Sequence, residues 1–254
     1  MESLGTPLTH ATLLLQWLGV GVVAFAAAVL GGLAGYGTGL ILPIALAPVI
    51  GVANIIPVMA VAMMINNGSR VLAFRRDIEW PHVRRMLWLG LPTCLVGAWG
   101  YTRLDARWVA LLLGLFLLAS IPLRRLLQRA RMQLTPGGEV LAGGAFGFVE
   151  GGMTGTGVIL ISILMAAGVQ GAALIASDAV VSTIMGLAKV LLFGGAARLD
   201  AELAVTGALV GLCTAPGAFV ARAILRRVPQ QLHLRIMETV VVLGGLAFLW
   251  RAWR

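Results

Sequence analysis

The sequence predicts an all-α polytopic membrane protein made of two inverted repeats, each of about four or five helical segments with a short broken helix after a glycine-rich break. Three observations carry this. First, 59% of the 254 residues are hydrophobic and only 11% are charged, whereas a soluble domain carries about 25% charge. Second, apolar runs recur along the whole chain, at Ala11–Leu33, Val83–Tyr101, Trp108–Pro122, Leu203–Val220 and Ile236–Trp250. Several approach the roughly 20 residues that cross a bilayer as a helix, and a membrane β-barrel would show short alternating segments instead. Third, the chain repeats itself. GTGLIL at 37–42 returns as GTGVIL at 155–160, and SRVLAF at 69–74 returns as AKVLLF at 188–193, at offsets of 118 and 119.

These offsets divide the chain into an N-terminal membrane repeat over 1–125, a basic linker over 126–136 and a C-terminal membrane repeat over 137–254. The opening MESLGTPLTH has no Lys or Arg, unlike the basic start of a signal peptide, so the first apolar run is expected to be a retained helix. In each half a long helix comes first (Ala11–Leu33; Glu139–Val149 and onward). After the glycine-rich break comes a short segment (Leu40–Ile50; Val158–Ala167), then a longer one (Ile55–Phe74; Ala172–Phe193), then two more long helices. Turns fall at Gly51–Asn54 and Gly168–Gly171. About eleven residues make roughly 16 Å of helix, so a short segment does not span a hydrocarbon layer of about 30 Å.

Arginines cluster at 75–85, 124–131 and 222–235, in short loops where positive charge marks the cytoplasmic side. They orient the chain and meet anionic headgroups; they are not a nucleic-acid site. With five segments per half, all three clusters fall inside, the N-terminus falls outside, and the halves are inverted. The same count puts Arg251 and Arg254 outside. Inverted repeats with short, glycine-interrupted segments at matching places are a transporter signature, with substrate bound where the broken helices meet.

Gly37-Thr38-Gly39 and Gly155-Thr156-Gly157 stand at those places. Backbone amides in lipid need partners, so such a break survives only when buried or lining a wet cavity. Thr38 and Thr156 are expected N-caps. Free N–H groups and the positive end of a helix dipole suit an anion, and two related helix starts converge on one. The same glycines also suit close helix packing, and both readings stand. Lys189, the only lysine, lies in the apolar GLAKVLLF, and its repeat partner is Arg70. Each is a candidate substrate contact or a snorkelling interfacial residue. Asp178, Ser182 and Lys189 share one helical face, though the helical rise sets Asp178 about 16 Å from Lys189. Ser177 and Thr183 stand nearby, and Asn66, Asn67 and Ser69 flank Arg70. These polar groups line a path or bond neighbouring helices. Glu150 and Asp178 are candidate proton carriers, since buried carboxylates titrate nearer neutrality; the alternative for Glu150 is a local cap or a water-satisfied acid.

Enzyme chemistry has little to stand on. His10, His82 and His233 lie near segment ends or in loops, and no serine–histidine elbow or HExxH occurs. Cys94 and Cys213 lie inside apolar runs without metal spacing. No catalytic residue, metal or cofactor is expected.

The repeated order of glycine-rich break, GTG, short apolar helix, polar patch and basic loop ending in Ile78-Glu79-Trp80 resembles the TauE/SafE sulfite exporter family, also called the toluene-sulfonate uptake permease family. The likeness runs over roughly 12–250. It implies a multi-pass transporter of sulfite, a sulfonate or a sulfoacetate-like anion, in a bacterial inner membrane, as a monomer or homodimer. The first break here is Gly31-Gly32-Leu33-Ala34-Gly35-Tyr36-Gly37, where family members often show an almost pure glycine run; Tyr36 narrows it. The site expected from the residues themselves joins Gly37, Thr38, Gly39, Gly155, Thr156 and Gly157 as donors, Lys189 and Arg70 as counter-charges, and Asn66, Ser182 and Thr183 as further hydrogen-bonding groups. Access alternates as one half moves against the other. An inside-negative potential drives an anion outward by about 2.3 kcal/mol per charge per 100 mV. Export therefore runs without a coupling ion, whereas import needs protons or sodium, and Glu150 or Asp178 then carries the coupling. The rival readings are a carrier of another small organic anion, and a membrane enzyme or scaffold.

Overall fold

A computed structural model describes residues 7–34, 37–129, 133–224 and 230–253. Tyr36, Arg131, Arg226 and Arg227 lie outside the described residues. Among the described residues there is no strand. The helices are α1 Pro7–Ala34, α2 Thr38–Ile50, α3 Ile55–Phe74, α4 Trp80–Tyr101, α5 Ala106–Arg129, α6 Pro136–Gly152, α7 Gly157–Ala166, α8 Gly171–Gly195, α9 Ala201–Ile224 and α10 Gln230–Trp253. Among the described residues, three stretches are long and apolar enough to cross a membrane, at Val52–Phe74, Ala106–Leu123 and Gly171–Gly195. The chain is an all-α polytopic membrane protein, and its outer surface agrees. Large apolar side chains such as Trp88, Trp99, Leu141, Phe148, Leu191 and Leu212 stand exposed on α4, α6, α8 and α9, where lipid rather than water is their natural solvent.

Two expectations shift at the edges. α6 does not stop before the glycines but runs through Gly151 and Gly152, and the break narrows to Met153–Thr156. α5 continues to Arg129, so the first residues of the expected linker are helical. Thr135 caps α6 by accepting from the Gly138 amide at 3.2 Å, with Pro136 next, a residue suited to a first helical turn because it lacks an N–H.

The packing interleaves the two halves. α1 lies along α9 and α4 along α6, each the first helix of one half against the fourth of the other. α3 packs on α8 and α5 on α10. α9 also covers α3, as α4 covers α8. Exchanging the halves maps each of these pairs onto another or onto itself. The result is two bundles, α1–α3–α9 and α4–α6–α8, that meet along α3 and α8.

Small residues let the α4–α6 seam close. Gly90 and Gly97 of α4 face Gly143, Gly147 and Gly151 of α6, and Thr93 Oγ1 donates to the Gly144 carbonyl at 2.7 Å. Without a hydrophobic drive between helices in lipid, such backbone contact and interhelical hydrogen bonding hold a pair together. One end of the seam is tied by charge. Glu139, 2% exposed, takes Arg85 at 3.1 Å and His82 Nδ1 at 2.9 Å.

Candidate functional site

The N-termini of the two short helices meet. A Cβ placed on Gly39 would lie 2.7 Å from the Gly155 nitrogen, and Thr154 Oγ1 donates to the Gly39 carbonyl at 3.3 Å. Gly155 has φ +81°, a left-handed conformation open to glycine at little cost. α2 has 13 residues and α7 has 10, about 20 and 15 Å of helix, so neither crosses a bilayer alone. Their starts therefore lie within the protein. The glycine stretch 151–157 divides its labour: Gly151 packs against the Cys94 carbonyl of α4, while Thr154–Gly157 line a cavity.

That cavity has a volume of about 60 Å³ for water-sized groups. Both helix starts line it through Gly37, Thr38, Gly39, Gly155, Thr156 and Gly157. α3 adds Asn66, Asn67 and Arg70, α6 adds Glu150, and α8 adds Asp178, Ser182 and Lys189. Thr183 is not among the lining residues; its hydroxyl donates to the Ala179 carbonyl at 2.7 Å on its own helix. Met59, Met63 and Met153 supply apolar wall.

The two threonines do not cap. Thr38 Oγ1 donates to the Ala27 carbonyl of α1 at 3.2 Å, and Thr156 Oγ1 donates to Glu150 Oε2. Neither helix start has a side-chain cap. In α2 the first amide to find a backbone acceptor in its own turn is that of Leu40, which reaches Gly37 O at 2.9 Å. In α7 it is that of Ile159, which reaches Thr156 O at 2.8 Å. The preceding amides have no carbonyl to reach inside their helices, as at any helix start.

The charges are buried and paired. Lys189 is 4% exposed, so it does not snorkel. Its Nζ donates to the Glu150 carbonyl at 3.0 Å and to Glu150 Oε1. Glu150 thus joins the α7 start, through Thr156, to α8, through Lys189. Arg70 pairs with Asp178 at 3.0 Å, across α3 and α8, and its Nη1 also reaches Asn67 Oδ1 at 3.2 Å. Asp178 is thereby drawn to the arginine of the other half rather than to Lys189. The two bases are repeat partners, yet both acids come from the second half.

Several of these features escape the sequence. Thr154 lies in the same glycine stretch as Thr156, and only its bond to Gly39 marks it. Asn67 stood beside Asn66 among the polar groups expected to line a path, but nothing in the sequence paired it with Arg70. Among the described residues no cluster of His, Cys, Asp and Glu suits a metal ion.

Replacing Gly155 with alanine is expected to cost activity more than expression. The φ of +81° strains any L side chain, at roughly 1–2 kcal/mol, and the new methyl meets the Leu40 side chain. The α7 start would shift from its neighbour. Transport beside surface abundance measures the split, and an unchanged transport rate would show that the meeting of the two helix starts is not needed.

A family profile described as Sulfite exporter TauE/SafE matches residues 20–248, nearly the whole chain, and the chain belongs to that family. No curated protein and no solved structure matches the chain significantly.

Proposed function

We propose that this member of the TauE/SafE family carries a small sulfur oxyanion, sulfite or one of similar size, through a cavity where two half-helix starts meet. One observation carries the reading: Gly39 touches Gly155, so two first-turn amide sets and two positive dipole ends share a cavity with Arg70 and Lys189. Oriented amides at a helix start favour negative charge. Asn66, Ser182, Thr154 and Thr156 supply further hydrogen bonds. A cavity of about 60 Å³, at about 10–15 Å³ for one water, has room for a few waters or one small anion.

The packing supports alternating access in a form the repeats alone do not suggest. The moving bodies are the α1–α3–α9 and α4–α6–α8 bundles, each containing helices of both halves, and the α3–α8 contact is their seam. Arg70–Asp178 bridges that seam, while Lys189–Glu150 lies within one bundle. Opening one side breaks the first pair and keeps the second. We read the halves as inverted repeats in a bacterial inner membrane, with the basic loops inside. Glu150 and Asp178 remain the candidates for proton coupling in uptake.

Proteoliposomes holding the full chain test this with labelled sulfite, sulfoacetate and taurine. Sulfite flux should exceed the other two. No flux of any of the three, in either direction, overturns the reading; larger flux of taurine overturns the choice of sulfite.

A further inference from the structure

Two charged atoms at the cavity have no hydrogen-bond partner among the described residues, Nη2 of Arg70 and Oδ1 of Asp178. They belong to one ion pair, joined through the other arms of the two groups, Arg70 Nη1 and Asp178 Oδ2, at 3.0 Å. The Asp178 side chain is 2% exposed and that of Arg70 12%, and both residues line the cavity. Buried polar groups in folded proteins find partners with few exceptions, so this pair calls for a ligand.

The chemistry of that ligand follows from the two atoms. A guanidinium only donates hydrogen bonds, and an ionised carboxylate only accepts them. A fully deprotonated dianion satisfies Arg70 but sets a bare oxygen against Asp178. A permanently deprotonated sulfonate does the same. An oxyanion that keeps one proton offers O⁻ to Arg70 and O–H to Asp178. Resting on the reading of this cavity as a sulfur-oxyanion site, we propose that the Arg70–Asp178 pair selects the singly protonated monoanion, hydrogen sulfite in class, over the dianion and over sulfonates that lack an O–H.

The other charged groups around Asp178 limit how a pH profile is read. Arg70 faces it from α3, Glu150 lies on α6 and Lys189 on α8 itself. Glu79 stands just before α4, and its amide donates to Ser177 Oγ beside Asp178; α4 brings His82, Arg84 and Arg85 at its start, the first and last paired with Glu139 of α6, and Cys94 and Tyr101 further along. α7 brings no titratable group. A ligand of fixed charge separates their titration from that of the substrate.

The test is binding to the purified full chain across the second ionisation of sulfite, with methanesulfonate alongside. Methanesulfonate keeps one charge and no O–H throughout. Apparent sulfite affinity should fall by about tenfold per pH unit above that ionisation, in step with the competent fraction of ligand. Methanesulfonate should bind weaker by roughly tenfold or more with its own, flatter profile. Asp178→Asn offers an N–H beside its carbonyl oxygen, so it should accept the dianion and flatten or reverse the sulfite profile. Sulfite affinity that rises with pH, or that tracks methanesulfonate, overturns the selection of the monoanion and leaves the cavity reading intact. So does a folded Asp178→Asn variant with the wild-type profile. Should that variant not fold, the wild-type profile decides alone. No binding of either ligand at any pH overturns the cavity reading itself.

Discussion

Lys189→Met is expected to abolish sulfite transport and to lower thermal stability, and adding Glu150→Gln is expected to restore stability without restoring transport. The single change removes a cation that is 4% exposed and bonded to Glu150 through both carbonyl and carboxylate. Among the described residues the carboxylate then keeps the Thr156 hydroxyl as its partner. Breaking a buried pair from one side costs about 3–5 kcal/mol, whereas removing both charges is often near neutral. Stability thus measures the pair, and transport measures the positive charge offered to an anion. Unfolding temperature and vesicle flux, taken on all members of the cycle, separate the two. A stable double variant that carries sulfite at the wild-type rate would reduce Lys189 to a structural residue.

Gly147→Val carries the second large effect, this time on folding. A Cβ on Gly147 meets the Gly90 carbonyl of α4 and comes within 2.6 Å of Thr93 Oγ1. Neither neighbour yields easily, because one is helix backbone and the other already donates to Gly144 across the seam. Overpacking a tight core costs typically 1–3 kcal/mol, and a clash with backbone belongs at or above the upper end. The branched side chain forces α4 and α6 apart, and with them the bundle that holds Glu150 and Lys189. Loss of the folded peak in size-exclusion chromatography is the expected result. Gly137→Val, at a glycine with open space around it, serves as control. Equal folding of the two variants would show that the seam tolerates separation.

The repeat offsets placed both short helices to within about two residues, since matched hexapeptides fix register more firmly than composition does. They also brought Arg70 and Lys189 into correspondence, and both line the cavity. The sequence did not reveal the partners. A carboxylate at position 150 and a lysine at 189 carry no mark of their mutual distance, which depends on how α6 lies against α8. The caps failed for the same reason. Thr38 and Thr156 hold the right chain position, but tertiary neighbours, the Ala27 carbonyl and the Glu150 carboxylate, draw off their hydroxyls. Likewise His82 read as an ordinary residue near a segment end until α6 brought Glu139 beside it. Interleaving of the halves was out of reach of any local pattern, because it is set by which helix faces are complementary.

The balance of Arg70 and Lys189 against Asp178 and Glu150 has an electrical consequence. With every member ionised, the empty cavity bears no net charge, so in the proposed alternating cycle its return between the two faces would draw no current through the bilayer. Only the loaded passage of the proposed monoanion would move charge. The membrane potential would then bias one leg of that cycle and leave the other to run at the pace of the helices alone.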